Sequence, residues 1–244
     1  MKKLVQAAAA SVLMAGLSSG HAQAVTFSQV GDTGQTLDTA QDIPGGTLPL
    51  DAITGTLSGP NVINLFRIML AGGQTFSATT INANTLIELP VDQQLGSPTT
   101  LLPDPQLFLF DAAGRGIYGN DDSFGTAQAS LTSGGFSPTS PGTYFLAIAS
   151  SGYSPVSAGG SIFGEADASG ILAALGAGAA SPLTGFTGEG TAGGDYQITF
   201  TGVTATSAEG VPEPEQTAGI IAAGLLGVGY QLNKSLKNRK RLKI

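Results

Sequence analysis

Short runs of β-branched and aromatic residues, divided by glycine and proline, are the sequence feature that most restricts how this chain can fold. The 244 residues include 36 glycines and 13 prolines, which favour turns and interrupt helices. The clearest apolar runs begin near Ile63, Pro105, Gly142 and Gly194. Helical periodicity is almost absent between them, so the sequence predicts an all-β fold, an antiparallel and jelly-roll-like β-sandwich.

Individual strands can be placed within these runs. Residues 63–70 and 75–81 flank a short loop with two glycines, which is typical of a β-hairpin. The four consecutive apolar residues that end 105–110 predict a strand buried on both faces, with a return strand at 117–118. Residues 194–203 alternate polar and apolar side chains, so we expect one face in the core and one in water.

A stretch rich in glycine, alanine and serine, residues 152–193, interrupts this pattern. It contains few β-branched runs, so we expect a long loop or insertion there, with a short helix at 168–175. The strands on either side of it belong to one β-sandwich domain, residues 25–206. A chain of that length can bury a sizeable core without dividing into two domains.

The first 24 residues have the pattern of a secretory signal peptide. Lys2 and Lys3 precede an apolar stretch at 4–17, and Ala22 and Ala24 supply the two small residues of a cleavage site. We therefore predict that residues 1–24 direct export and that cleavage follows Ala24.

The C-terminal 34 residues contain a short motif, an apolar segment and a basic tail in that order. A linker at 207–215 carries the motif, a predicted transmembrane helix follows at 216–233, and a basic tail occupies 234–244. The motif residues are Val211, Pro212, Glu213 and Pro214. The basic tail resists crossing the membrane and would stay cytoplasmic. The apolar part of this helix, residues 218–230, would rise roughly 20 Å, which is less than the roughly 30 Å of membrane hydrocarbon. The segment therefore suits a temporary stop in translocation better than a permanent anchor.

This arrangement resembles the PEP-CTERM sorting signal of bacterial surface proteins. The resemblance implies recognition and removal of the signal by an exosortase, a membrane-embedded cysteine protease. It also implies that the mature protein reaches the cell surface or the extracellular matrix, including that of biofilms. An ordinary C-terminal membrane anchor and an amphipathic helix at the interface are the alternatives.

Charge and composition exclude several functions. Residues 25–210 hold fifteen acidic residues and only two basic ones, Arg67 and Arg115, a balance of −13 that repels nucleic acid. The chain has no cysteine, and its one histidine, His21, lies in the predicted signal peptide. A Ser-His-Asp triad, a cysteine nucleophile and a normal zinc site therefore cannot form in the mature chain. We expect no catalytic residues, although a carboxylate-dependent glycoside hydrolase stays open as an alternative.

Oxygen-bearing side chains cluster near the 105–118 segment. Asp111 ends the predicted strand, and Asn120, Asp121 and Asp122 follow the return strand. Calcium binds six to eight oxygens, including carboxylates, so these four residues form a candidate calcium site, with Asp104 as a further ligand. The competing interpretation is that these side chains cap their own turns.

Several motifs, taken in order, resemble the bacterial pre-peptidase C-terminal β-sandwich. More narrowly, the chain is similar to proteins that pair such a module with a PEP-CTERM tail. The resemblance covers about residues 60–203, and the matching segments are 64–68, 104–114, 120–122, 141–148 and 194–198. It implies a non-catalytic accessory or surface module, some members of which bind calcium or polysaccharide. An exopolysaccharide-binding module is therefore the main alternative to a structural role.

Overall fold

The computed structural model describes residues 24–29, 31–44, 46–81, 101–123, 125–167 and 170–206. Ala22 and most of the predicted signal peptide lie outside these residues. The linker with its sorting motif, the predicted helix at 216–233 and the basic tail at 234–244 also lie outside them. Within the described ranges, no helix has the length and apolar character needed to cross a membrane.

The described residues form an all-β fold, which confirms that part of the predicted fold class. The strands are β1 (Val25–Ser28), β2 (Gln41–Asp42), β3 (Leu50–Leu57), β4 (Ile63–Leu70), β5 (Ser77–Thr80), β6 (Pro105–Phe110), β7 (Gly116–Asn120) and β8 (Ser130–Leu131). They continue with β9 (Gly142–Ser150), β10 (Tyr153–Ser157), β11 (Gly160–Ser161), β12 (Ile171–Ala173), β13 (Leu183–Gly188), β14 (Gly194–Thr201) and β15 (Val203–Thr204). A 3-10 helix at Leu37–Thr39 precedes β2.

These strands make three sheets. The outer sheet has the order β1-β3-β14-β5-β8. The central sheet has the order β12-β7-β6-β9-β4-β15, and β2 also pairs with β4. The small sheet has the order β11-β10-β13. The result is a sandwich-like arrangement of layers on both faces of the central sheet.

The central sheet separates two apolar cores. In β6, Leu107 and Leu109 belong to the first core, shared with the outer sheet, while Phe108 and Phe110 belong to the second core, shared with the small sheet. Alternate side chains of a strand point to opposite faces, so every residue of β6 is buried. The prediction of a strand buried on both faces is confirmed.

The predicted hairpin between 63–70 and 75–81 is wrong, because its two strands lie in different sheets. β4 pairs with β9, whereas β5 pairs with β14 and β8. Gly72 and Gly73 have positive φ at the connection, and the N–H of Gly73 donates to the carbonyl of Thr139 at 2.8 Å. Both strands contribute apolar side chains to the first core, so the chain arches across that core instead of pairing with itself.

The interpretation of residues 152–193 as a loop is also wrong. This stretch contains β10 to β13, and the predicted helix at 168–175 is replaced around Ile171–Ala173 by β12, which pairs with β7. Its aromatic side chains Phe163 and Phe186 enter the second core. Its glycines serve close packing, since a Cβ at Gly178 would overlap the carbonyl oxygen of Gly160.

The sheets are mainly antiparallel, but β1 pairs with β3 and β2 pairs with β4 in parallel. Each of these pairs is joined by a connection of about 20 residues, long enough for the crossover that parallel strands require. In β14, Tyr196 and Ile198 enter the first core as predicted, but Gln197 on the opposite face is also buried.

Candidate metal-binding site

Asp111 lies at the turn that joins β6 to β7, and its carboxylate is used by that turn. Oδ1 of Asp111 accepts hydrogen bonds from the N–H groups of Ala113 and Arg115, both at 2.9 Å. This is the turn-capping alternative weighed for Asp111. Six strand residues span roughly 20 Å, so Asp111 is separated from the opposite end of the hairpin.

Three other carboxylates meet at that opposite end. Asp104 directly precedes β6, Asp121 and Asp122 directly follow β7, and oxygens of all three lie within 4.8 Å of one another. We call Asp104, Asp121 and Asp122 the carboxylate cluster. The antiparallel hairpin brings them together because Leu107 pairs with Asn120. The next residues toward the open end of the hairpin, Gln106 and Asp121, therefore lie opposite each other.

Two neighbouring side chains orient the carboxylate cluster. Ser151 follows β9, and its N–H donates to the carbonyl oxygen of Asp104 at 2.8 Å. The hydroxyl of Ser151 donates to Oδ2 of Asp121 at 3.4 Å. The side chain of Gln106 also hydrogen-bonds the carboxylate of Asp121. Three consecutive strands of the central sheet, β7, β6 and β9, therefore supply the site.

Asn120, a predicted ligand, has a different role. Its Oδ1 accepts a hydrogen bond from the N–H of Ser130 at 2.8 Å, and its Nδ2 donates to the carbonyl oxygen of Asp122 at 3.3 Å. The side chain is buried. Asn120 therefore ties the loop that carries Asp122 to strand β8 and acts as a positioning residue beside the cluster.

Three oxygens at this site are buried and make no hydrogen bond. They are Oδ1 of Asp104, Oδ1 of Asp121 and Oε1 of Gln106. A buried acceptor without a partner costs about 1–3 kcal/mol, and more when it is charged. Three such acceptors side by side are unusual, because most buried polar groups are satisfied.

The electrostatics of the cluster disfavour three negative charges. Burial raises the pKa of Asp104, and the charge of Asp122 raises it further, while the hydrogen bond from Ser151 lowers it. Burial also raises the pKa of Asp121, reinforced by Asp104 and Asp122 and opposed by the hydrogen bonds from Ser151 and Gln106. The pKa of both groups therefore lies above its usual range.

Neither arginine of the described residues neutralises the cluster. Arg67 forms an ion pair with Asp42 and lies over the ring of Phe145, 5.3 Å from its centroid. The Nε–H of Arg115 donates to the carbonyl of Ala180 at 3.4 Å. The sequence has no other lysine, arginine or histidine between residues 24 and 206.

A cavity of about 340 Å³ adjoins the site and is lined in part by Gln106, Asp121, Ser151 and Glu165. The arrangement of oxygens suits a hard cation, or a pair of carboxyl groups that share protons. Asp104 was named from sequence only as a further ligand, and Gln106 and Ser151 were missed. The register of the β6–β7 hairpin is the signal that places Gln106 beside Asp121.

Comparison with known proteins adds no relative. No protein-family model matches the chain, and no match was found among the curated proteins compared with it. The resemblances to the PEP-CTERM signal and to the pre-peptidase C-terminal module therefore stay predictions. They depend on the motifs quoted above.

Proposed function

We propose that this chain is an exported, non-catalytic protein of the cell surface or extracellular matrix. In this proposal the signal peptide directs export, and the C-terminal helix holds the precursor in the membrane with its basic tail in the cytoplasm. An exosortase-type protease then processes the chain at the Val211-Pro212-Glu213-Pro214 motif. The observation that carries the proposal is the order of motif, apolar segment and basic tail at one end and signal peptide at the other.

The described domain supports a structural or interaction role for the exported product. Two apolar cores hold three sheets together without any disulfide, since the chain has no cysteine. We infer that the outer and central sheets form the jelly-roll-like sandwich expected from the pre-peptidase resemblance. The small sheet would then be an addition to that sandwich, and the partner of the domain would be another component of the cell surface or matrix.

The two alternatives find less support. A glycan-binding module would need several exposed aromatics in one patch, and among the described residues Phe136, 50 % exposed, is the one large aromatic that is so accessible. A glycoside hydrolase would need two carboxyl groups accessible to a sugar. In the carboxylate cluster, Asp104 and Asp121 each have Oδ1 buried, and Asp122 is the exposed member.

The experiment is intact mass spectrometry of the protein recovered from the surface or medium of its native host. We expect a species that runs from Val25 to a point near Pro214. The Glu213→Ala variant should lose this species, while the matched variant Glu209→Ala, which changes a linker glutamate outside the motif, should keep it. A species that retains Ile244 in the wild type and both variants would overturn the sorting proposal.

A further inference from the structure

The spacing of the carboxylate cluster fits a single bound cation. Oxygens of Asp104, Asp121 and Asp122 all lie within 4.8 Å of one another. Calcium binds oxygen at 2.3–2.6 Å, so two oxygens on the same ion can be at most about 5 Å apart. One ion between the three side chains can therefore contact an oxygen from each.

Gln106 gives an independent indication of a ligand. It is 5 % exposed, its side chain contacts the carboxylate of Asp121, and its Oε1 is buried without a hydrogen-bond partner. The amide nitrogen of Gln106 is the donor toward Asp121, so the atom without a partner is the amide oxygen of a side chain that already contacts the cluster. An acceptor placed among acceptors is unfavourable unless a cation is shared between them.

We propose that Asp104, Asp121 and Asp122, together with Oε1 of Gln106, bind one Ca²⁺ ion. This site differs from the predicted set, because Asp111 is replaced by Asp104 and Asn120 is replaced by Gln106. Asn120 and Ser151 position the ligands without contributing to the set. The proposal concerns the folded domain and does not depend on how the chain is sorted.

The chemistry of the ligands selects calcium. Four protein oxygens, three of them from carboxylates, suit a hard cation, and no cysteine or histidine between residues 24 and 206 is present to favour zinc. Calcium accepts irregular sets of six to eight oxygens, whereas Mg²⁺ requires near-ideal octahedral geometry at about 2.0–2.1 Å. Asp122 is the exposed member of the cluster and gives the ion a route from solvent, with water completing its coordination.

The ion supplies the positive charge that the domain lacks at this point. Both arginines are engaged elsewhere, so protons and metal ions are the two means of neutralising the cluster. Bound Ca²⁺ would satisfy the three orphaned oxygens at neutral pH and clamp β6, β7 and the loop after β7 together.

Isothermal titration calorimetry with CaCl₂ tests the proposal on the full-length chain, purified in detergent and stripped of metal with EDTA. We expect one Ca²⁺ per chain, with Kd no weaker than the range of about 10⁻⁴–10⁻³ M of extracellular calcium modules. Asp121→Asn and Asp104→Asn should each weaken binding by at least about tenfold, since even outer-shell partners contribute 10–100-fold to metal affinity. MgCl₂ should bind more weakly than CaCl₂.

Asp111→Asn is the matched control. It removes the same charge from the same hairpin, but asparagine keeps the oxygen that accepts the N–H groups of Ala113 and Arg115. Its calcium affinity should equal that of the wild type. Absence of saturable binding, equal binding by Asp121→Asn and wild type, or equal losses in Asp111→Asn and Asp121→Asn would each overturn the proposal. Tighter binding of Mg²⁺ would overturn the choice of calcium.

A folding readout keeps these outcomes interpretable. Circular dichroism of each variant shows whether it is folded. Addition of CaCl₂ should raise the Tm of the wild type and of Asp111→Asn, but not that of the variants at the site. If Asp121→Asn does not fold, the calcium affinities of Asp104→Asn and Gln106→Leu are compared with those of the wild type and Asp111→Asn instead. Calcium binding is measured on the unprocessed chain, so failure of sorting would leave this result unchanged.

Discussion

The side-chain nitrogen of Asn64 and the phenol oxygen of Tyr196 lie 2.9 Å apart inside the first core. Asn64 belongs to β4 of the central sheet and Tyr196 to β14 of the outer sheet, so this hydrogen bond joins the two layers. Oε1 of Gln29 accepts from Asn64 Nδ2 at 2.8 Å and from the Tyr196 hydroxyl at 3.0 Å. Because these groups satisfy one another, the polar network fixes how the two sheets align.

Removing the Tyr196 hydroxyl should therefore destabilise the domain. Tyr196→Phe removes both hydrogen bonds of a buried hydroxyl, each worth about 0.5–1.5 kcal/mol, so we expect a loss of about 1–3 kcal/mol in the free energy of unfolding. Urea denaturation followed by circular dichroism measures it. Tyr153→Phe is the control, because its hydroxyl has one part-buried partner, Gln35, and should cost only about 0.5–1.5 kcal/mol. An equal or smaller loss for Tyr196→Phe would contradict the role of the network.

The metal-free protein should lose stability as the pH rises. In the folded chain the pKa of Asp104 and of Asp121 is raised, chiefly by burial. The unfolded chain releases these protons first, so the folded state binds more protons and the free energy of unfolding falls above the ordinary carboxyl range, about pH 4.

Urea denaturation in EDTA across a pH series measures this fall. Asp121→Asn should be less sensitive to pH and more stable than the wild type near neutral pH, because it carries one less buried charge. Asp38→Asn, a substitution at an exposed residue, should keep the wild-type slope. Equal slopes for the wild type and Asp121→Asn would refute the prediction.

Truncating an aromatic residue of the glycine-rich stretch should be costly. The ring of Phe163 packs on Phe108 and Phe110, with centroids 5.3 and 5.8 Å apart. Phe163→Ala should lower the free energy of unfolding by about 3–5 kcal/mol, measured by urea denaturation. Leu175→Ala, at a residue 82 % exposed in the same stretch, should change it by less than about 0.5 kcal/mol. If Phe163→Ala changed the free energy of unfolding as little as Leu175→Ala, the glycine-rich stretch would make no contribution to the core.

Gly170 controls the loop that carries Asp122. Its φ is +77°, its carbonyl accepts the N–H of Asp121 at 3.3 Å, and a Cβ there would overlap the carbonyl oxygen of Asp122. Gly170→Ala should therefore cost more than the roughly 1–2 kcal/mol of a left-handed alanine and should weaken calcium binding as well.

Gly73→Ala provides the comparison for Gly170→Ala. Gly73 has φ +69° but no atom within 4 Å of an added Cβ, so this variant carries only the conformational cost. Thermal denaturation and calcium titration of the two variants separate strain from displacement of Asp122. Equal stability and equal calcium affinity in both would show that the contact between Gly170 and Asp122 is unimportant.

Local pattern was enough to predict several strands, among them β4, β6 and β14, but not their partners. The apolar run at 105–110 requires burial on both faces, and the Gly-containing turn after it leaves one short route back, so β6 and β7 follow from sequence. The connection at Gly72 and Gly73 is compatible with either a hairpin or an arch. Which of the two forms depends on the long-range pairing of β4 with β9 and of β5 with β14, which local sequence does not encode.

The candidate site was predicted in part for the same reason. Asp111 and Asp121 flank one hairpin, and residue type alone cannot distinguish a turn cap from a ligand. The register of β6 and β7 places them at opposite ends, and it brings in Asp104 and Gln106. In the stretch 152–193, glycine and alanine carry little periodic signal, because close backbone packing replaces large side chains there.

The position of β14 in the outer sheet determines when this domain can complete its folding. β14 is among the last strands in the chain, yet it lies between β3 and β5, hydrogen-bonded to both. A ribosome or a translocation channel delivers the chain from its N-terminus, and until residue 201 emerges β3 and β5 have unfilled edges facing each other. During synthesis from the N-terminus the outer sheet therefore stays open until β14 is added. In that interval the unpaired edges of β3 and β5 are exposed to aggregation, and protection by chaperones matters most.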